Sequence, residues 1–372
     1  MAPTEIEAGL SAHPEDELVQ AEIEGAQKKK KSGKGRIIAI VVSVLVIGGV
    51  FAFALPKIAN YGAVWDEIQQ ISWQWIVALV LSVLLNTATY GPPWMAALPG
   101  LSYWNATRMS LASTAMSAVA PGGAAVGMAS SFAMLKAWGF RGRPVGLAVV
   151  VTGIWNQLVI LGFPIIALAG VAAEGGSNST LELVAVIALL VFVVIVVGFA
   201  VGLSSERLAR RIGDRAARLA TWGKGIIGKA PVKWQGESFV RFRVESIDLI
   251  RRRWWQLTVA TLAGHLTVFV VLLASVRAVG IAHTHVTIVE AFAAWTLARV
   301  LGSIPITPGG VGFVELGLTG ALVAFGATND EAVAATLIYR FLTIVPTLVF
   351  GLIAAATWKV GRRAPREAAE PV

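Results

Sequence analysis

The sequence predicts an all-α polytopic membrane protein with about six full transmembrane helices and two re-entrant helical hairpins, arranged as two inverted repeats. The prediction rests on composition, on recurring long apolar runs, and on two similar Pro-Gly-Gly interruptions. Hydrophobic residues make up 56% of the 372 residues and charged residues only 14%. Soluble domains are about half apolar and about a quarter charged. The chain contains no cysteine, which excludes disulfides, thiol nucleophiles and cysteine metal sites.

The two ends of the chain are predicted as cytoplasmic tails around a membrane domain at 36–360. Residues 1–35 combine an acidic stretch with the basic run KKKKSGKGR and have few apolar residues, which predicts a disordered segment. The basic run is interpreted as a topology signal, with an anchor for anionic lipid headgroups as the alternative. Residues 361–372 form the second tail.

Six apolar runs are long enough to be full spans, because a bilayer core about 30 Å thick requires about 20 apolar residues in a helix. Two further regions, 107–138 and 288–327, could each hold a pair of helices but are interrupted in the middle. The predicted spans are 37–55, 73–91, 145–170, 181–203, 256–280 and 332–357.

Basic residues orient the chain. The segment 204–253 contains thirteen Lys and Arg against five acids, which predicts a cytoplasmic connector by the positive-inside rule. The loops 172–180 and 281–287 contain no Lys or Arg and are predicted to lie outside. The expected location is a bacterial plasma membrane with both termini in the cytoplasm. Because the net charge of +9 is concentrated in loops and tails, no nucleic-acid partner is predicted.

The two interrupted regions indicate a repeat. When Pro121 is placed on Pro308, Gly139 falls on Gly326 and the following long spans coincide. Repeat 1 is placed at about 65–170 and repeat 2 at about 254–358. An odd number of crossings separates equivalent positions, which predicts inverted repeats, a recurring plan of transporters in which broken helices line the substrate path.

Both interruptions place proline and glycine inside apolar sequence, in SAVAPGGAAVGMASS at 117–131 and SIPITPGGVGFVELG at 303–317. Backbone groups freed by such residues are tolerated in a membrane only against protein or water. We therefore predict hairpin tips whose amide groups contact a polar substrate, with close helix packing by small residues as the alternative. The candidate residues are Pro121, Gly122, Gly123, Pro308, Gly309, Gly310 and Gly312.

Three charged residues fall within apolar helices of the second repeat: Arg299, Glu315 and Arg340. Each costs about 2.5 to 3.5 kcal/mol at the bilayer centre, so each needs a partner. A hairpin is expected to bring Arg299 onto Glu315, with Arg340 as a second candidate. Two guanidinium groups against one carboxylate leave a positive charge that suits a phosphate. A purely structural ion pair is the alternative.

The first repeat lacks these charges at its matching positions, and Asn156 and Gln157 are its nearest polar substitutes. His265 stands alone on an apolar helix and is predicted to be a hydrogen-bonded interior residue. The acidic pair Asp66 and Glu67 belongs to an interfacial helix with an aromatic belt, or to the external loop of a polyprenyl-phosphate-dependent transferase. The interfacial helix is the favoured interpretation.

The motif PGGVGFVE from Pro308 to Glu315, with Arg299 before it and Arg340 after it, resembles the lysylphosphatidylglycerol synthase transmembrane-region family, also called the flippase-like domain family. The resemblance covers about 37–360. In that family's multiple peptide resistance factors, a soluble aminoacyl-transferase domain follows a membrane region that flips the aminoacylated lipid. Only a few residues follow the membrane region here, so the transferase activity is not carried over.

The expected function is therefore the binding or translocation of a phosphate-bearing lipid or lipid-linked saccharide. A non-transporting membrane scaffold for envelope-lipid synthesis and the transferase using Asp66 and Glu67 are the alternatives. The expected partners are membrane lipids, in particular anionic ones, and envelope-synthesis enzymes. No cofactor, metal site or catalytic constellation is predicted.

Overall fold

The computed structural model describes residues 61–119, 123–175, 179–226, 236–303 and 310–357. These residues form helices and no strand, which confirms the predicted all-α class. Both predicted tails and the predicted span 37–55 lie outside the described residues. The helices are α1 Tyr61–Gln69, α2 Trp73–Ala88, α3 Pro92–Ala97, α4 Tyr103–Val119, α5 Gly123–Ala137, α6 Gly142–Ala173, α7 Ser179–Ser204, α8 Glu206–Ile226, α9 Gly236–Ala278, α10 Ile288–Ser303, α11 Phe313–Ala324 and α12 Asn329–Thr357.

Four segments of the described residues are long and apolar enough to cross a membrane, and they coincide with four of the six predicted spans. The predicted span 181–203 is helical within α7. The described apolar stretch Ala185–Gly198 lies inside this helix of 26 residues, and its crossing of the membrane remains a prediction. The four spanning segments are Trp73–Ala97, Gly142–Ala173, Val240–Ala278 and Asn329–Ala355.

Each interrupted region contains two short helices that pack against each other, α4 with α5 and α10 with α11. These helices contain 17, 15, 16 and 12 residues. At 1.5 Å per residue they are about 18 to 26 Å long, which is less than the bilayer core of about 30 Å. The lengths are compatible with re-entrant hairpins, which remain a prediction.

The two helix pairs end in the same backbone turn. Gly139 after α5 has φ 90° and Gly326 after α11 has φ 119°, a left-handed conformation that favours glycine. In both turns the glycine N–H donates to the carbonyl 3 residues earlier, and the next N–H donates to the carbonyl 5 residues before its own position. With the glycines superposed, the start of α6 at Gly142 coincides with the start of α12 at Asn329. This match supports the repeat; its inversion remains a prediction.

The largest buried core surrounds α10, which packs against α6, α9 and α11. Trp295 at its centre is 0% exposed. Three phenylalanines contact this indole with ring centroids 5.1 to 5.7 Å apart, namely Phe163 of α6, Phe269 of α9 and Phe292 of α10. Aromatic packing therefore fixes the end of α10 that carries Arg299 against a helix of the first repeat.

Candidate functional site

Glu315 is held at the start of α11 by its own backbone. It is the third residue after Gly312, the N-cap residue of this helix. The Gly312 N–H donates to Oε2 of Glu315 at 2.7 Å, and Gly312 has φ 92°, in the left-handed region. A carboxylate at this position accepts a hydrogen bond from a free N–H group at the helix start, and its negative charge interacts favourably with the positive end of the helix dipole. With its side chain 2% exposed, Glu315 is a buried carboxylate in a defined orientation.

Arg340 of α12 is the ion-pair partner of Glu315. Its Nε donates to Oε1 at 2.7 Å, and the two side chains are 13% and 2% exposed. The prediction that Arg299 faces Glu315 was wrong, and the second candidate was right. The physical reason is the cap: it directs Glu315 from the start of α11 onto α12, whereas Arg299 of α10 extends toward α9.

Arg299 belongs to a separate chain of hydrogen bonds. Its Nη2 donates to Nδ1 of His265 at 2.9 Å, and Nε2 of His265 lies 3.0 Å from Oδ1 of Asn156. Arginine can only donate, so Nδ1 accepts and Nε2 carries the hydrogen that the Asn156 oxygen accepts. His265 is thus a neutral, hydrogen-bonded interior residue, as predicted, and it connects α10 with α9 and α6.

The Nε–H group of Arg299 is an unused hydrogen-bond donor. Among the described residues no carboxylate pairs with it, and its buried Nε has no hydrogen-bond partner. Nε1 of Trp295, one turn earlier, is also buried without a partner, and Cζ of Arg299 lies 5.8 Å from the centroid of that indole. An unsatisfied buried donor costs about 1 to 3 kcal/mol. A positive charge with two free donors nearby is suited to an anionic acceptor.

Tyr90, to which no sequence pattern pointed, places a hydroxyl beside α12. This hydroxyl lies 3.2 Å from Oγ1 of Thr347 on that helix. Tyr90 therefore connects the end of α2 with the helix that carries Arg340. No local pattern predicts this contact, because Tyr90 and Thr347 are 257 positions apart.

The glycine motifs are described only in part, because Pro121, Gly122, Pro308 and Gly309 lie outside the described residues. Gly310 has φ 69°, and a Cβ built on it lies 3.1 Å from Cα of Gly302 at the end of α10.

In the first motif, Gly123 begins α5. A Cβ on Gly127 overlaps the hydroxyl of Ser117 on α4. Both motifs thus support close helix packing, the alternative that the sequence left open, and contact of their amides with substrate remains a prediction.

The positions of the first repeat that match the three charges carry none. Ala112 is buried, Met128 is 51% exposed, and Gly153 is exposed. Of the two predicted polar substitutes, Asn156 joins the Arg299 chain. Gln157 is half-buried, and its side chain forms no hydrogen bond with the described residues. The charged site is therefore built mainly by the second repeat.

The weaker candidates do not form a second polar site. Asp66 is exposed and Glu67 half-buried on α1, in the predicted helix, and neither carboxylate pairs with another described residue. His283 and His285 are exposed in the loop between α9 and α10. Within the described part of the chain, no three potential metal ligands come together.

A protein-family model described as the lysylphosphatidylglycerol synthase TM region matches residues 38–351. No curated protein matches the chain. The matched range contains both interrupted regions, the Glu315–Arg340 ion pair and the hydrogen-bond chain from Arg299 to Asn156.

Proposed function

The chain belongs to the lysylphosphatidylglycerol synthase TM region family, and we propose that it binds a phosphate-bearing lipid or lipid-linked saccharide and moves it across the membrane. In this proposal Arg299 binds the phosphate, and the helix pairs α4–α5 and α10–α11 line the path. The observation that carries the proposal is the guanidinium of Arg299, which has no carboxylate partner among the described residues and a buried Nε without an acceptor.

The charge balance of the second repeat favours an anion at Arg299. Arg340 and Glu315 compensate each other, and His265 is neutral, so within the described part of the chain Arg299 contributes a positive charge without a compensating carboxylate. Such a charge costs about 2.5 to 3.5 kcal/mol near the centre of a bilayer, and an anionic ligand would offset that cost. The planar guanidinium binds two phosphate oxygens at once, which an ammonium group cannot do.

Transport, rather than binding alone, is supported by the interrupted helices and by the matching turns after α5 and α11. Transporters built from repeats place broken helices at the repeat interface near mid-membrane. The chain from Arg299 through His265 to Asn156 connects α6 of the first repeat with α9 and α10 of the second. A ligand at Arg299 is therefore well placed to respond to movement of one repeat against the other.

The test uses protein reconstituted in vesicles with fluorescently labelled phosphatidylglycerol, scoring the fraction of label that an impermeant quencher cannot reach. Arg299→Gln should abolish protein-dependent lipid movement, and Arg299→Lys should restore it only in part, because lysine keeps the charge without the planar fork. Arg215→Gln is the matched control, since Arg215 is an exposed arginine on α8, outside the proposed path. It should move lipid like the wild type.

Undiminished lipid movement in Arg299→Gln would exclude Arg299 as the phosphate ligand. If the wild-type protein neither moves nor retains the lipid, the non-transporting scaffold becomes the better proposal. A chemically altered lipid after incubation would instead favour the transferase that uses Asp66 and Glu67.

A further inference from the structure

A second group of arginines lies where α8 and α9 meet the apolar spans. α8 begins at Glu206, directly after α7 ends at Ser204, and packs against α9. The two helices are consecutive, pack against each other and are separated by nine residues, which favours an antiparallel arrangement. At 1.5 Å per residue, α8 is about 31 Å long and residues 236–253 of α9 about 27 Å. In an antiparallel arrangement the start of α8 lies beside the residues of α9 just before Trp254.

Four arginines at this level have no ion pair with any described residue. Their neighbours Arg210 and Arg252 already bind Glu206 at 3.4 Å and Asp248 at 2.9 Å, one turn away. The four are exposed, apart from one that is half-buried. We name them the basic collar: Arg207, Arg211, Arg251 and Arg253.

We propose that the basic collar binds the headgroups of anionic lipids at the membrane surface. Trp254 and Trp255, which follow the collar directly, are 56% and 53% exposed, and exposed tryptophans of this kind lie at the headgroup level of a bilayer. Arginine side chains one or two turns from that level reach the lipid phosphates. Their charge, which no described carboxylate pairs with, complements an anionic leaflet.

The collar is distinct from the Arg299 site. It lies at one end of the spans, on α8 and the first part of α9, whereas Arg299 is enclosed by α6, α9 and α10. Loss of the collar should therefore weaken lipid retention at the surface without changing the hydrogen bonds around His265.

The same hairpin provides a matched control. Arg215, Arg218 and Arg241 are also exposed, but they lie farther from Trp254 along α8 and α9. The triple variant Arg207→Gln, Arg211→Gln, Arg251→Gln removes the same number of charges as Arg215→Gln, Arg218→Gln, Arg241→Gln.

The experiment measures the retention of added phosphatidylglycerol by delipidated full-length protein in detergent, using native mass spectrometry. Both triple variants are made in an Arg299→Gln background, so that the Arg299 site does not contribute to the measured binding. A separate comparison of the wild type with Arg299→Gln alone measures how much lipid the Arg299 site retains. The collar triple should bind phosphatidylglycerol at least about tenfold more weakly, since each basic residue near an anionic surface contributes on the order of 1 kcal/mol. The control variant at Arg215, Arg218 and Arg241 should change phosphatidylglycerol binding by less than about twofold. The two triple variants should bind the neutral lipid phosphatidylcholine equally well.

A wild-type measurement at low and high salt tests the same point without any substitution, because binding at the collar must weaken as salt screens it. Equal losses in the two triples would show diffuse attraction and overturn the collar. Salt-independent retention, or no loss in the collar triple, would overturn it as well. If inorganic phosphate at the same concentration displaces the lipid, the surface is a site for free anions and the lipid assignment fails.

Discussion

Arg340 and Glu315 are joined by a partly buried hydrogen bond of 2.7 Å between Nε and Oε1, while the other carboxylate oxygen of Glu315 accepts the Gly312 N–H. One carboxylate thus fixes both the start of α11 and its contact with α12. This makes the pair part of the fold and separates it from Arg299, whose guanidinium is free of any described carboxylate.

The first prediction concerns this ion pair. Glu315→Gln keeps the shape of the side chain but leaves Arg340, whose side chain is only 13% exposed, without its carboxylate partner. Breaking a buried pair by removing one partner typically costs about 3 to 5 kcal/mol. The double variant Glu315→Gln, Arg340→Gln removes both charges and should be more thermostable in detergent than Glu315→Gln alone.

The control for this cycle is Glu315→Gln combined with Arg299→Gln, because these two residues share no hydrogen bond. Their effects should add within about 0.5 kcal/mol. If the effects of Glu315→Gln and Arg340→Gln on stability also add, the two side chains do not interact in the folded protein.

Sequence predicted the all-helical class and four of the spans because long apolar runs report directly on burial in a bilayer. The partner of Glu315 was assigned wrongly because sequence shows which charges are buried but not where a hairpin directs them. A local signal did exist: Gly312 at the N-cap with Glu315 three residues later is a capping pattern. The contacts of His265 have no such signal, since its partners Arg299 and Asn156 are 34 and 109 positions away.

The second prediction tests His265 as a residue that positions Arg299. His265→Leu removes the acceptor for Nη2 of Arg299. The guanidinium of Arg299 keeps its positive charge but is no longer oriented by this hydrogen bond. Affinity for phosphatidylglycerol should fall by roughly five- to thirtyfold, the equivalent of about 1 to 2 kcal/mol for one hydrogen bond to a charged group. The measurement is lipid retention at increasing lipid concentration, together with a thermal melt.

His265→Gln separates positioning from packing, because its amide oxygen can accept from Arg299 and its amide nitrogen can donate to Asn156. We expect it to recover most of the lost affinity. If His265→Leu lowers the melting temperature but not lipid affinity, His265 serves only the core.

The third prediction concerns the glycine turn before α11. Gly310→Ala must adopt φ 69° and bring its Cβ to 3.1 Å from Cα of Gly302 and 2.9 Å from Cγ2 of Val314. The left-handed conformation alone costs about 1 to 2 kcal/mol for a residue with a Cβ. The free energy of unfolding in detergent should therefore fall by more than that amount.

Gly320→Ala is the matched control within α11. A Cβ at Gly320 has no atom within 4 Å, and alanine is favoured over glycine inside a helix by about 0.5 to 1 kcal/mol. This variant should be as stable as the wild type or more so. Equal stability of the two variants would mean that the turn at Gly310 tolerates a side chain and that close packing does not explain the glycine.

The last prediction tests the inversion of the two repeats through residues that directly precede their long spans. Arg141 precedes α6 and Thr328 precedes α12, both are exposed, and they coincide when Gly139 is placed on Gly326. If each helix pair enters and leaves the membrane at one face, the spans α6, α7 and α9 separate the two positions, an odd number of crossings. Arg141→Cys and Thr328→Cys, each introduced singly into this cysteine-free chain, should then react with an impermeant thiol reagent from opposite faces. Glu174→Cys, which follows α6, should label from the same face as Thr328→Cys and serves as the control for accessibility. Labelling of Arg141→Cys and Thr328→Cys from one face would show that the repeats are parallel, and a path between inverted halves could no longer be proposed.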